Sequence, residues 1–223
     1  MENRAQDPDG AVFAVLRELC DWAGREVVDV GCGAGFHLPS FAGDAKSVVG
    51  VEPHPPLVRA ARDRVGAAPH VRVLQASADA LPLPDAAADM VHARTAYFFG
   101  PGCEPGITEA LRVLRPGGTL VIVDLDATAH PYGRWMRASA PEYDQVATEA
   151  FFRRAGFDLR RVDTRWVFED RYSLRSVLDI EFTEAVADRA FAETSGLALD
   201  VRYRVHSLVK PEGLLRMHAW RPA

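Results

Sequence analysis

A cluster of glycines at the end of a short apolar run is the feature that most constrains how this chain can fold. The run at 26–30, Glu-Val-Val-Asp-Val, is typical of a buried parallel strand, and it stops at Gly31, Gly33 and Gly35. Glycines in this position let the backbone turn sharply and bring a ligand close to bare main chain. Glu52, 17 residues after Gly35, ends the second apolar run. At the tip of an adjacent strand its carboxylate can accept hydrogen bonds from two ribose hydroxyls, so the two features predict a site for a nucleoside-bearing cofactor.

The spacing of the glycines distinguishes between two such cofactors. A dinucleotide site uses G-x-G-x-x-G, but Phe36 stands at the third glycine position here and the glycine falls one residue earlier. Asp29, just before the loop, would repel a pyrophosphate but suits the neighbourhood of an ammonium group. The pattern therefore favours S-adenosylmethionine (SAM), which carries no phosphate, over NAD. Two alternatives stay open: a non-catalytic SAM-fold protein that binds or regulates a partner, and the less favoured NAD-dependent oxidoreductase.

The order of apolar runs and helical periodicities predicts an α/β fold with a Rossmann-like, mostly parallel sheet and helices on both faces. Two later alternating runs predict a terminal antiparallel hairpin that carries a helical insertion. No internal repeat or linker divides the chain, so we expect one domain over residues 1–223. The predicted parallel strands are 26–30, 47–51, 71–75, 89–93 and 119–125, and the predicted antiparallel strands are 161–168 and 201–209. The predicted helices are 12–20, 38–41, 55–65, 108–114, 145–155 and one within 173–194. Arg-Pro-Gly-Gly at 115–118 is predicted to end the helix that precedes the fifth strand.

Four segments, in this order, resemble the successive motifs of class I SAM-dependent methyltransferases, in the subgroup called methyltransferase type 11. They read VVDVGCGAG, VVGVE, ASADALPLPDAAADMV and EALRVLRPGGTLVIVD, and they are spread over roughly residues 26 to 125. The resemblance implies a seven-stranded sheet whose last strand is antiparallel. It also implies that SAM is the methyl donor and S-adenosylhomocysteine (SAH) the product.

The resemblance further implies roles for nine residues around SAM. The three loop glycines, Gly31, Gly33 and Gly35, would line its methionine and ribose portions. The other six would contact its polar groups and its adenine: Asp29 the amino group, Glu52 both ribose hydroxyls, Pro53 and the Ala80 main chain the adenine ring, Asp79 the adenine amino group, and the Arg94 main chain the methionine tail. A loop cap is the alternative role for Asp79.

The acceptor side of the site is less well defined by the sequence. Because a sulfonium is already an activated methyl donor, alignment of the acceptor matters more than a catalytic side chain. Tyr97, after the fourth strand, and His130, after the fifth, are the catalytic candidates. A pocket wall is the alternative role for Tyr97, and a surface-loop histidine for His130. Segments 127–143 and 172–200 are expected to be lids or substrate-side insertions.

Two acceptor classes are disfavoured by missing motifs. The Asn/Asp-Pro-Pro-aromatic motif that holds a planar amine is absent after the fourth strand, where Arg-Thr-Ala-Tyr stands at 94–97. The chain also lacks a Pro-Cys pair, whose thiol would attack cytosine C5. We therefore predict a small organic acceptor that is methylated on O, N or C, with the choice of atom left open.

Composition limits the partners and the location. The net charge of −5 and the scattered arginines do not form the basic face that grips nucleic acid, so no nucleic-acid partner is expected. No apolar run reaches the roughly 18 residues that span a bilayer, and residues 1–10 lack the apolar core of a secretory signal. We therefore expect a cytoplasmic monomer or homodimer without membrane contact. The three cysteines suggest neither a disulfide framework nor a zinc site, so no metal is expected. The excess of arginine over lysine indicates a G+C-rich, bacterial genome.

Overall fold

The computed structural model describes residues 5–212 of the chain, so residues 1–4 of the polar N-terminal stretch lie outside it. In chain order its elements are α1 (Ala11–Leu19), β1 (Glu26–Val30), α2 (Leu38–Ala42), β2 (Ser47–Glu52), α3 (Pro55–Val65), β3 (Val71–Gln75), β4 (Ala88–Arg94), α4 (Glu104–Val113), β5 (Leu114–Leu125), α5 (Tyr132–Ser139), α6 (Gln145–Arg154), β6 (Asp158–Val167), α7 (Arg171–Glu181), α8 (Glu184–Glu193) and β7 (Ala198–Val209). Across the described range, no helix combines the length and apolar character needed to cross a bilayer.

The described residues group into two compact units. The larger unit comprises residues 16–124, 148–159 and 205–212. The smaller unit comprises residues 5–15, 125–147 and 160–204. The expectation of a single domain stays a prediction.

The strands form a seven-stranded sheet with the order β3-β2-β1-β4-β5-β7-β6. β1 pairs in parallel with β2 and β4, β2 pairs with β3, and β4 pairs with β5. From β1 the chain builds the sheet outwards through β2 and β3, and then returns to place β4 on the other side of β1. This reversal creates the topological switch point at which open α/β sheets bind ligands, outside the carboxyl ends of the strands.

The last strand runs against its neighbours. The Lys210 N–H donates to Gly118 O, and the Asp126 N–H donates to Arg202 O, each at 2.8 Å, so β7 is antiparallel to β5. The predicted Rossmann-like, mostly parallel sheet with an antiparallel terminal pair is confirmed. The predicted helical insertion between the last two strands is also present, as α7 and α8.

Apolar side chains on both faces of the sheet hold the strands of the larger unit in place. Val28 of β1 and Val49 of β2 belong to one cluster with Ile107 of α4, on one face. On the opposite face α2 packs so closely that a Cβ at Gly50 would lie 3.0 Å from the Leu38 side chain. This packing fixes the carboxyl ends of β1, β2 and β4, from which the predicted site residues project.

An aromatic cluster forms the core of the smaller unit. The ring of Tyr132 lies 5.2 Å, centroid to centroid, from both Trp166 and Phe182. Helix α7 adds apolar side chains that are fully buried, and the Asp170 carboxylate caps it by accepting a 2.7 Å hydrogen bond from the Ser173 N–H. The insertion therefore has an apolar core within its own unit.

Three of the differences from the sequence-based predictions have a physical reason in the structure. The fourth helix begins at Glu104 instead of 108, because proline at 105 fits the first turn of a helix. β5 begins at Leu114 instead of 119: the 115–118 turn signal lies within the strand, where the Gly117 N–H bonds Lys210 O at 2.8 Å. The insertion contains two helices instead of one, because Thr183 has an extended backbone.

Candidate functional site

The glycine loop after β1 is fastened to the end of β2. The N–H groups of Gly31 and Cys32 both donate to Val51 O, at 2.8 and 3.1 Å. All three loop glycines have a positive φ, which residues with a side chain rarely adopt. The loop is therefore held at the switch point with its main chain facing outwards from the sheet's carboxyl edge.

Two of these glycines are required for different reasons. At Gly31, with φ +70°, a Cβ would lie only 2.3 Å from the Ala96 Cβ, so the loop after β4 leaves no room for a side chain. At Gly33, with φ +56°, a Cβ would meet nothing within 4 Å. The space beside Gly33 is open, which is what a ligand that approaches bare backbone needs.

Glu52 is bonded to this loop directly. Its side chain is buried, with 6% of the residue exposed. Oε2 accepts a 3.0 Å hydrogen bond from the Gly33 N–H, and Oε1 accepts a 2.9 Å bond from the His54 N–H. Each carboxylate oxygen can accept further bonds, so the two main-chain donors orient Glu52 and leave capacity for a ligand.

Asp29 lies at the base of the loop and has an unexpected partner. Its Oδ1 lies 2.8 Å from Nδ1 of His92, and both residues are buried. The second oxygen, Oδ2, is buried without a hydrogen-bond partner among the described residues. Sequence reasoning missed His92, because the pairing of β1 with β4 places it beside Asp29 across 63 residues of chain.

The loop that follows β3 carries Asp79 and Ala80, both exposed. Glu109 on α4 accepts a 2.9 Å hydrogen bond from the Leu81 N–H, and Arg112 donates to Leu81 O at 3.0 Å. Glu109 and Arg112 also pair with each other, so α4 anchors the loop immediately after Asp79 and Ala80. These anchors were missed as well, although their i,i+3 spacing on a helix was a signal.

The loop after β4 is strained and holds Tyr97. Arg94, the last residue of β4, is buried, whereas Thr95 and Tyr97 have positive φ values of 47° and 55°. The Tyr97 ring packs where a Cβ at Gly106 would be, since that Cβ would lie 2.3 Å from Cε1. Burial first, and then the Asp79 carboxylate, raise the pKa of the Tyr97 phenol above its ordinary value of 10. Positive φ at non-glycine residues is typical of functional loops.

The remaining two predicted site residues are exposed. Pro53 follows Glu52 at the carboxyl end of β2. His130 belongs to the smaller unit and precedes α5. The structure thus brings Glu52 and Gly33 into direct contact and sets the Asp79 carboxylate near enough to Tyr97 to raise its pKa, and His130 lies in the smaller unit.

Known proteins support the interpretation of these motifs. A family model described as a methyltransferase domain matches residues 28–122. A probable SAM-dependent methyltransferase of Mycolicibacterium smegmatis is 28% identical over 192 residues, which cover 82% of this chain and 72% of that protein. These matches support a class I SAM-dependent methyltransferase. The family predicted from the sequence, its enzymatic class and its cofactor are therefore confirmed.

Other relatives of this methyltransferase differ in what they act on. A demethylmenaquinone methyltransferase of Clavibacter sepedonicus is 29% identical and covers 57% of this chain. A tRNA U34 carboxymethyltransferase of Methylococcus capsulatus is 33% identical and covers 60% of it. The chain spans about half the length of each of these two relatives, 54% and 46%.

Solved structures share the fold of the methyltransferase. The YcgJ protein of Bacillus subtilis superposes with a TM-score of 0.62 at 17% identity, covering 92% of this chain and all of that one. A SAM-dependent methyltransferase of Aquifex aeolicus gives 0.59 at 20% identity, covering 92% and 94%.

The residues at the switch point fit the methyl donor of the family. Glu52 offers a carboxylate with free lone pairs, as two ribose hydroxyls require. Asp29 Oδ2, which has no hydrogen-bond partner within residues 5–212, offers a buried acceptor, as an ammonium group requires. The open space at Gly33 leaves room for a ligand against the main chain.

Proposed function

We propose that this methyltransferase transfers the methyl group of SAM to an O, N or C atom of a small organic molecule. The observation that carries the proposal is the hydrogen-bonded pair of Gly33 and Glu52, together with the Asp29 Oδ2 oxygen, which is buried without a partner in the described part of the chain. The site offers the groups that SAM requires: the Glu52 carboxylate for hydroxyls, the Asp29 Oδ2 oxygen for an ammonium, and open space against the main chain at Gly33.

In this proposal the nine predicted residues hold SAM. The anchored loop after β3 presents Asp79 and Ala80 to the adenine, and the buried Arg94 contributes its main chain at the end of β4. The full set is Asp29, Gly31, Gly33, Gly35, Glu52, Pro53, Asp79, Ala80 and Arg94.

The mechanism relies on positioning. SAM supplies, when bound, a methyl group already activated by its sulfonium. Glu52 and the glycine loop fix the orientation of the nucleoside, and Asp29 fixes the amino end. Holding two reactants in an aligned geometry can contribute about 7–11 kcal/mol to lowering a barrier, so no general base is required for every acceptor.

Tyr97 and His130 are the proposed acceptor-side residues. The strained backbone of Tyr97 and its seat on Gly106 support a fixed ring, which suits a pocket wall or a hydrogen-bond donor. The raised pKa of its phenol keeps it protonated at neutral pH, so it can donate but cannot act as a base there. The exposed His130 is the candidate base if an acceptor requires deprotonation.

The acceptor class rests on charge and on the missing motifs. A net charge of −5 opposes a polyanion such as tRNA, even though one relative acts on tRNA. The demethylmenaquinone methyltransferase among the relatives supports a small organic acceptor.

Two experiments test the proposal in order. SAH at 100 times its Kd should stabilise the protein by about 2.7 kcal/mol, whereas NAD should leave the melting temperature unchanged. Stabilisation by NAD alone would exclude the proposed site. Transfer of label from [methyl-³H]SAM is then measured with a cell extract separated into a small-molecule fraction and an RNA fraction. Label in small molecules is expected, with Tyr97→Phe and His130→Ala as acceptor-side variants. Label in RNA alone would overturn the acceptor class.

A further inference from the structure

The buried pair formed by Asp29 and His92 goes beyond the cofactor contacts proposed above. The two residues are register partners on β1 and β4, and they are 2% and 1% exposed. A carboxylate can only accept hydrogen bonds, so the 2.8 Å contact requires that Nδ1 of His92 carries the proton. This bond uses Oδ1 of Asp29 and leaves Oδ2 without a partner among the described residues.

Burial and packed rings restrict the movement of the pair. The Phe41 ring lies 5.1 Å, centroid to centroid, from the His92 ring, and the His37 ring lies 6.1 Å from it. Burial, together with Arg94 and His92, lowers the pKa of His37 to about 2, so His37 is neutral and offers Asp29 no positive charge. On its other side Asp29 has Gly50 as its register partner, and the Cys32 and Leu38 side chains fill the space over that glycine, since a Cβ there would lie 2.9 Å from Cys32 Sγ and 3.0 Å from Leu38.

A buried carboxylate oxygen without a hydrogen-bond partner lowers the stability of the fold unless a ligand donates a hydrogen bond to it. A fixed Oδ1 also determines where Oδ2 points, because the two oxygens share one rigid plane. We propose that His92 is a positioning residue, which orients Asp29 so that Oδ2 receives the amino group of SAM. This inference rests on the proposed binding of SAM at the glycine loop, and it assigns a role to a residue outside the family motifs recognised in the sequence.

The test compares two ligands that differ at the amino end. SAH carries the ammonium group, whereas 5′-methylthioadenosine has the same nucleoside and thioether without the amino-acid portion. His92→Leu removes the Nδ1 donor at similar shape, and His92→Asn places an amide nitrogen near the Nδ1 position. His92→Leu should weaken the binding of SAH by about 10-fold and leave the binding of 5′-methylthioadenosine unchanged. The loss of one hydrogen bond to a charged group has an effect of about this size. His92→Asn should restore most of the SAH affinity.

Calorimetry on the full chain separates the possible failures, with melting curves of each apo variant as the check on folding. If wild-type protein binds neither ligand, the proposed function itself fails. If Asp29→Asn loses SAH selectively but His92→Leu does not, only the positioning role of His92 is overturned. Equal weakening of both ligands in His92→Leu would also overturn it, since that result marks a purely structural pair.

A measurement on the wild-type protein covers the case in which His92→Leu fails to fold. With ¹⁵N-labelled histidine, the Nδ1 signal of His92 is expected to show a bound proton and to shift on addition of SAH but not of 5′-methylthioadenosine. An unprotonated Nδ1, or the same shift with both ligands, would overturn the proposal.

Discussion

The main-chain N–H of Gly33 donates a 3.0 Å hydrogen bond to Oε2 of Glu52, so the glycine loop and the carboxylate at the tip of β2 form one rigid unit. The Val51 carbonyl reinforces this unit by accepting from Gly31 and Cys32. A ligand that binds Glu52 therefore meets the glycine loop without a change in either element, and pre-organisation of this kind lowers the entropic cost of binding.

Replacement of Glu52 tests the centre of the proposed site. Glu52→Ala removes a charged acceptor whose hydrogen bonds contribute roughly 1.5–3 kcal/mol each, so SAH affinity should fall by about 10- to 100-fold. Glu52→Gln keeps the shape and one acceptor oxygen, so its SAH affinity should fall less. Calorimetry with SAH gives both values. A wild-type Kd in the alanine variant would remove Glu52 from the site.

The loop glycines offer a matched pair of identical substitutions two residues apart. Gly31→Ala places a Cβ 2.3 Å from Ala96, and it should destabilise the fold by about 3 kcal/mol through overlap and backbone strain. Gly33→Ala meets open space, so only the backbone strain of about 1–2 kcal/mol is expected. Its Cβ would instead occupy space proposed for SAM, so SAH binding should weaken by about 10-fold or more.

Urea unfolding and SAH calorimetry on both variants separate the two effects. If Gly33→Ala binds SAH as tightly as wild type, the ligand does not approach the main chain at this position. If Gly31→Ala is as stable as wild type, the loop after β4 is able to give way at Ala96.

The sequence predicted correctly the bounds of those elements that are set by the local pattern of apolar residues. The bounds of β1, α3 and β3 match the predictions at 26–30, 55–65 and 71–75, because each is a continuous apolar or periodic run with a clear stop on both sides. The start of α4 was predicted wrongly, at 108 instead of Glu104. In the folded chain Gly106 is helical and makes room for the Tyr97 ring, which is a tertiary reason that no local pattern contains.

In the candidate site, too, some features follow from the local sequence and others depend on tertiary structure. Its glycines and Glu52 could be predicted, because strand tips in a parallel sheet meet at one edge. The partnership of Asp29 with His92 could not, because it depends on the register of β1 against β4. The roles of the nine residues toward SAM stay predictions, as do those of Tyr97 and His130 toward the acceptor.

Hydrogen exchange in helices α7 and α8 tests the prediction that segment 172–200 is a lid. Leu174, Val177 and Leu178 are fully buried, so we expect α7 to move as a folded helix and its interior amides to exchange slowly. Fast exchange should be confined to the break at Thr183 and to residues 194–197, and it should slow when SAH and acceptor bind. Hydrogen exchange of the free and SAH-bound protein measures this. Slow exchange throughout the segment in both states would identify it as a structural insertion.

The ion pair of Glu109 and Arg112 gives the loop after β3 a pH-dependent anchor. Arg112 Nε lies 2.7 Å from Glu109 Oε1, and this hydrogen bond is the largest cause that lowers the pKa of Glu109 below its ordinary value of 4.5. A carboxyl whose pKa is lowered by folding stabilises the native state above the unfolded pKa. That contribution is therefore present above pH 4.5 and is lost as the pH falls through the lowered pKa of the folded state.

Glu109→Gln should accordingly be less stable than wild type at neutral pH, and the difference should disappear in acid. Denaturant unfolding at a series of pH values measures it, and Asp85→Asn, which removes an exposed partner of the same arginine, is the matched control with little expected effect. Because Glu109 also accepts from the Leu81 N–H, next to Ala80, its loss should weaken SAH binding several-fold. A stability difference that stays constant from neutral pH to well below 4.5 would show that ionisation of Glu109 does not hold this loop.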